Sequence, residues 1–151
     1  MSTAGRLMLA LVRLFEGLIL RPYLCPAGIW TIGLGSTYYA DGRKVKPTDP
    51  PISEAAAVRL AERIIMGIYL PAAIKLCPTA DTFARQAALG DFCFNLGPTR
   101  LAGSTLRKRV LEGDWEAACD ELAKWNRGGG RVLPGLVRRR AAEIRMVRGL
   151  Q

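Results

Sequence analysis

Apolar residues near the N-terminus recur at helical spacing, through Leu7, Leu11, Leu14, Phe15 and Leu18. Ser2 or Thr3 can cap this helix, which is expected to run to about Glu16 and stop at Gly17 in a left-handed conformation. From Arg21 to Val45 the period shortens. Tyr23 to Cys25 and Ile29 to Leu34 read as strands around a Pro26-Ala27-Gly28 turn, and Asp41-Gly42 is a hairpin signal between Tyr38-Tyr39 and Lys44-Val45. A sheet of about three strands follows, which must lean on helices because so small a sheet is not stable alone. Lys46 to Pro51 is a stiff linker.

Helical periodicity then returns. Ser53 caps a long helix with Glu54 at the positive end of its dipole and apolar positions at Val58, Leu60, Ala61, Ile64, Ile65 and Ile68. Pro71 should kink or break it before it ends near Leu76. Helices are expected over Thr82 to Asn95 (packing Phe83, Ala87, Phe92 and Leu96), from Ser104 to Gly113, and from Asp114 through the stripe Trp115, Ala118, Cys119, Leu122 and Trp125. Asn126 to Leu133 reads as a glycine-rich loop before a final helix from about Pro134 to Arg148.

Composition changes this picture little. A chain of 151 residues, half of them apolar, suits one core or two lobes sharing a long helix. No apolar run reaches membrane-spanning length, and Arg13 and Glu16 interrupt the N-terminal one. Met1 to Gly5 has no basic side chain, and a signal cleavage nearby would remove Glu16, so the chain is read as made in the cytoplasm without a signal peptide. The formal charge of +9 favours polyanionic partners: cell wall, anionic lipid or nucleic acid. Arg127, Arg131, Arg138, Arg139, Arg140, Arg145 and Arg148 crowd residues 127–148 against Glu143 alone. They form either a solvated face or a surface-binding one. Four cysteines with no C-x-x-C pair and no histidine leave no metal site to expect, and Cys93 and Cys119 fall on buried helix faces as reduced core residues.

The chemistry gathers in FEGLILRPYLCPAGIWTIGLGST, Phe15 to Thr37. Glu16 ends a helix and faces a hairpin that carries Cys25 and Thr31. An acid, a nucleophile or base, and a hydroxyl across a cleft make a workable hydrolase site. Phe15 and Leu18 around Glu16, with the helix dipole, would raise its affinity for a proton. The Cys25 thiol is open to opposite influences, a carboxylate pushing its pKa up and basic surroundings pushing it down. Gly33 and Gly35 serve either a bend in the sheet or close approach of a polysaccharide.

Glu16, Cys25 and Thr31, spaced by eight and five residues, resemble the catalytic motif of the phage-type lysozymes, in which the middle position is more often aspartate. FEG, CPAGIWTIGLGST, FCFNLG, GSTLRKRV, DWEAA and GLVRRRAAE match family words in order, from about Leu14 to Arg145. The resemblance implies an α+β, lysozyme-like fold in a single domain over 1–151. Its parts would be a β-lobe at 17–52, a helical lobe at 1–16 and 78–151, and a connecting helix at 53–77, with the cleft between the lobes. It implies a muramidase without cofactor that hydrolyses the β-1,4 bond between N-acetylmuramic acid and N-acetylglucosamine. Glu16 would be the general acid, Cys25 and Thr31 would assist water or the transition state, and Gly35, Thr37, Phe94, Asn95 and Thr105 would contact sugar. Ser36 stands where relatives carry histidine. The implied partner is peptidoglycan, reached by a monomer after a holin-type protein opens the membrane, for host lysis by a phage or prophage. Two alternatives remain open: a catalytically weak wall-binding module, and a cationic membrane- or nucleic-acid-binding protein acting through the arginine-rich helix.

Overall fold

The computed structural model describes residues 1–150. Helix α1 spans Thr3–Phe15 and is followed by strands β1 (Ile19–Leu24) and β2 (Trp30–Gly33). Helix α2 (Glu54–Ile64), a π-helical segment (Ile65–Tyr69) and α3 (Leu70–Leu76) form one continuous helical rod. Then come α4 (Phe83–Leu96), α5 (Pro98–Ala102), α6 (Thr105–Leu111), α7 (Trp115–Ala123), the two-residue strands β3 (Arg127–Gly128) and β4 (Arg131–Val132), and α8 (Pro134–Val147). Among the described residues no helix is long and apolar enough to cross a membrane.

The caps expected from the sequence form. The side chains of Ser2, Ser53, Thr82, Ser104 and Asp114 each accept a backbone N–H in the first turn of their helix. The end of α1 differs. Gly17 does not turn left-handed; Glu16 itself leaves the helix in an extended conformation, its N–H still donating to the Val12 carbonyl at 2.8 Å. That step swings the Glu16 side chain off the helix axis. Pro71 does not break its rod either. The Leu70 N–H reaches back five residues to the Ile65 carbonyl, and the wider π turn makes room for a ring that would otherwise strike the carbonyl four residues earlier.

The sheet is smaller than expected. β1 and β2 pair antiparallel, with Tyr23 opposite Thr31 and Leu24 opposite Trp30. The third strand reduces to a single bridge, Tyr38 with Lys44. Past that point Asp49 accepts from the Lys46 N–H at 2.8 Å and the Arg43 guanidinium at 2.9 Å, which curls the chain into the linker instead of extending the ladder. The expected loop over 126–133 contains the small β3–β4 hairpin, turned by Gly129 and Gly130.

Three apolar clusters hold the elements. Phe92, Cys93, Leu101, Leu106, Cys119 and Leu122 lie at the centre of the C-terminal helices. Met8, Val12, Ile65 and Leu70 join α1 to the rod, with Leu34. Ile32, Val45 and Leu60 seat the sheet on α2. Phe83 is not in the core as expected but 58% exposed. Burial explains the thiols of the core: Cys77 is pushed up to about 11 and Cys93 to about 12, and all four cysteines are free.

The arginine-rich end is not a uniform solvated face. Arg139 and Arg140 turn inward and are buried, along with Glu143 and Asp91. Arg139 donates from Nε and Nη2 to the two oxygens of Asp91, both at 2.8 Å, pinning α8 to α4. Arg148 pairs with Glu116 at 2.9 Å on the surface.

Two outcomes follow from this packing. Arg139→Met leaves Asp91 a buried, uncompensated charge, and urea unfolding should show a loss of about 3–5 kcal/mol. Gly33→Ala places a non-glycine at φ +70, with its Cβ 3.1 Å from that of Ala57 on α2. Thermal and urea unfolding should report a loss of about 1–3 kcal/mol, because both the backbone and the sheet–helix contact resist the methyl group.

Candidate active site

Glu16 sits where α1, α8 and the loop after β2 meet. Its Oε1 accepts from Arg139 Nη1 at 2.7 Å, and its side chain is 25% exposed. The apolar shell expected from Phe15 and Leu18 is not what surrounds it. Leu18 is 41% exposed, and the nearest partner is a guanidinium. The other oxygen, Oε2, faces the loop: a Cβ built at Gly35 would lie 3.6 Å from it and 3.6 Å from two ring carbons of Phe94. Gly35 has φ +88, so the loop needs glycine there for its backbone and for the space in front of the carboxylate. Gly33, by contrast, is spent on packing against Ala57.

Two grooves flank this carboxylate. One, of about 380 Å³, lies between the loop and the helical rod and is lined by Gly35, Thr37, Tyr39, Arg63, Tyr69 and Phe94 among others. Tyr69 meets Phe94 edge to face, with ring centroids 5.2 Å apart, so the floor is a fixed aromatic pair. The other, of about 840 Å³, lies along α8 and is lined by Leu14, Glu16, Asn95, Leu136, Arg138 and Arg139 among others. Leu14, 70% exposed, belongs to this wall and not to the core. Asn95 Oδ1 accepts from Arg140 Nη2 at 2.9 Å. Because arginine only donates, this bond fixes which way the amide points.

Cys25 follows β1 directly and begins the turn to β2. Its N–H donates to the Ile29 carbonyl at 3.0 Å, and its carbonyl accepts from the Gly28 N–H at 2.8 Å. Hydrogen bonding at the Ile29 backbone does most to hold the thiol below its ordinary pKa; burial opposes it, and the Ala27 backbone adds to it. Thr31 is 3% exposed and donates to the Ile29 carbonyl at 2.9 Å. Cys25 and Thr31 are therefore close neighbours. Tyr23 lies opposite Thr31 in the register, within reach of the charges of both Glu16 and Cys25. Its phenol is held above its ordinary pKa by burial first, then by the charges of Glu16 and Cys25.

Of the residues singled out from sequence, Glu16, Gly35, Thr37, Phe94 and Asn95 meet at the carboxylate or along the grooves, whereas Cys25 and Thr31 sit together on the hairpin, line neither groove, and share with Glu16 only the neighbouring Tyr23. Thr105 does not join them. It is exposed in the first turn of α6, next to the capping Ser104, and lines neither groove. Ser36 is buried, its backbone bonded to Ile32 at 2.8 and 3.0 Å. Sequence reasoning missed Tyr23, Arg139, Asp91, Arg140 and Glu143. One signal was available: an aspartate inside the apolar run AALGDFCF requires a buried cation, and only an inward-facing arginine could supply it. Among the described residues there is no acid, cysteine or histidine cluster that could hold a metal.

The comparisons with known proteins agree with this arrangement. The family description Phage lysozyme matches residues 13–143. An endolysin of Acyrthosiphon pisum secondary endosymbiont phage 1 is 35% identical over 140 residues, covering 89% of this chain and 90% of that protein. The solved endolysin from Escherichia coli O157:H7 phage FAHEc1 superposes with a TM-score of 0.82 at 29% identity, covering 97% of this chain and 91% of that one. The muramidase domain of SpmX from Asticaccaulis excentricus does so with a TM-score of 0.79, also at 29% identity, covering 97% and 95%. With an acid aimed at a glycine-faced cleft between a small sheet and a helical body, this chain belongs to the phage lysozyme family and is a glycoside hydrolase that acts on peptidoglycan.

Proposed function

We infer that the reaction is muramidase cleavage of the β-1,4 bond between N-acetylmuramic acid and N-acetylglucosamine, with Glu16 as general acid. The observation that carries this reading is the division of labour at Glu16. Oε1 is anchored by a buried arginine, and Oε2 is presented to the space before Gly35 and Phe94. A proton on Oε2 can pass to the glycosidic oxygen as the bond breaks. Cationic character then develops at the sugar, and water adds there, its proton leaving to a base. Cys25 supplies that base, or a compensating charge, as a thiolate favoured by the backbone donors of its turn. Thr31 orients the water. Gly35, Thr37, Phe94 and Asn95 line the course of the glycan.

The role in the cell that goes with this chemistry is host lysis by a phage or prophage. The protein would be made in the host cytoplasm and act, as a monomer, on the wall after a holin-type protein opens the membrane.

Clearing of purified Gram-negative walls, with identification of the new reducing sugar, tests the assignment. Wild type should release muramic acid at the reducing end, and Glu16→Gln should fall by about 10²–10⁴-fold. Wild-type protein that binds walls without clearing them would instead favour a binding module. Cys25→Ala should lose most activity, whereas Cys25→Asp should keep it, because an aspartate is ionised at neutral pH. Full activity of Cys25→Ala would make the thiol a bystander.

The Cys25 thiolate fraction shrinks as pH falls through the lowered pKa of that thiol. The wild-type rate should therefore drop on acidification sooner than that of Cys25→Asp, in a pH–rate comparison of the two. Iodoacetamide at neutral pH should label Cys25 alone. Cys77, Cys93 and Cys119, all buried with raised pKa values, should react only after denaturation, as peptide mass mapping would show.

A further inference from the structure

Beneath Glu16 lies a buried array that the cleavage reaction does not itself require. Arg139 spans Asp91 and Glu16. Arg140 Nη2 donates to Glu143 Oε1 at 2.7 Å and to Asn95 Oδ1 at 2.9 Å. Asp91 and Glu143 are 0% exposed, and Arg139 and Arg140 4% and 1%. Glu143 Oε2 is buried with no hydrogen-bond partner so long as it is treated as an acceptor. A buried polar atom of that kind calls for an explanation. The Glu143 carboxyl lies beside that of Asp91, itself already held by Arg139 through both oxygens, and Oε1 is taken by Arg140, which leaves Oε2 for Asp91.

We propose that Glu143 is a neutral carboxylic acid whose Oε2–H donates to Asp91, and that in this form it is the positioning residue that ties the Asp91–Arg139–Glu16 branch to the Arg140–Asn95 branch. Geometry supports the assignment. Asp91 accepts a charge-assisted bond from Arg139 at each of its oxygens, whereas Glu143 accepts one from Arg140 at Oε1 and leaves Oε2 with no donor. Burial disfavours the charged forms of both Glu143 and Arg140, but a guanidinium holds its proton far more tightly than a carboxyl gives one up. The proton therefore sits on Glu143, whose pKa burial drives well above the usual carboxylate range.

The groups facing Glu143 are named by element. On α8 they are Arg139 and Arg140; from α4 come Asp91, Asn95 and Cys93, a thiol pushed up to about 12 and so neutral throughout the range below. From the end of α1, Glu16 acts through Arg139. On α7, Glu116 is turned to Arg148 beyond the other end of α8.

In this form Glu143 holds Arg140 against Asn95 and holds Asp91 against Arg139, so both polar groups at the cleft take their orientation from one proton. The proposal rests on Glu16 being the catalytic acid only for its activity readout.

The test compares thermal unfolding of wild type and Glu143→Gln between about pH 4 and pH 9. A carboxyl whose folded pKa is raised contributes stability fully present below its unfolded pKa and lost as pH rises through the folded one. The Tm of Glu143→Gln minus that of wild type should therefore grow as pH rises. A flat difference, or one that shrinks with pH as for an ionised glutamate, would overturn the proposal.

In wall clearing, Glu143→Ala should lose about tenfold or more of kcat/KM through misplacement of Glu16 and Asn95. Glu143→Gln, which keeps a donor to Asp91 and an acceptor for Arg140, should recover most of that. A folded Glu143→Gln as impaired as Glu143→Ala would also overturn it. The Tm series does not depend on which residue is the acid, so an active Glu16→Gln would refute that assignment without touching this one.

Discussion

One guanidinium carries the architecture of the cleft. Arg139 is buried between Asp91 of α4 and Glu16 at the end of α1, and it bonds to both. A cation taken so far out of water is tolerable only with both carboxylates in place, and each carboxylate in turn relies on it. The pair with Asp91 fixes how α8 lies on α4, and the bond to Glu16 fixes where α1 releases its last side chain. Because Oε1 is committed to Arg139, Oε2 is left for the cleft. The fold thereby specifies one oxygen of one residue.

The opposite wall works by backbone geometry instead of ion pairing. The turn after β1 closes through the backbone of Cys25, Gly28 and Ile29, and Thr31 and Cys25 donate to the same Ile29 carbonyl. The left-handed Gly35 brings the loop close to Glu16 without a side chain to fill the gap. Tyr23, on the same hairpin, is within reach of the charges of both Glu16 and Cys25.

Much of this was legible along the chain. Helix starts were readable because a cap is a local event: Ser53, Thr82, Ser104 and Asp114 bond within three residues of themselves. Glu16, Cys25 and Thr31 were readable as an ordered motif. The reading failed where the outcome hangs on distant partners. Gly17 looked like a stop, but the chain leaves α1 in an extended form that delivers Glu16 to a guanidinium 123 residues away. Pro71 looked like a break, but a π turn absorbs the ring. Thr105 looked like a cleft residue, yet it is exposed in the first turn of α6 and lines neither groove.

The sequence by itself determined the helical body, the small hairpin and the ordered spacing of Glu16, Cys25 and Thr31, because period, caps and motif spacing act over a few residues. Only the tertiary structure decided the sense of the arginine-rich end. Periodicity marks where basic residues fall on α8, but whether a cation turns inward depends on a buried carboxylate coming from another helix. Asp91 supplies one to Arg139, and Glu143, with Asn95, draws in Arg140. The polarity of that end, and with it the geometry of the site, is a property of the packed helices and not of any one of them.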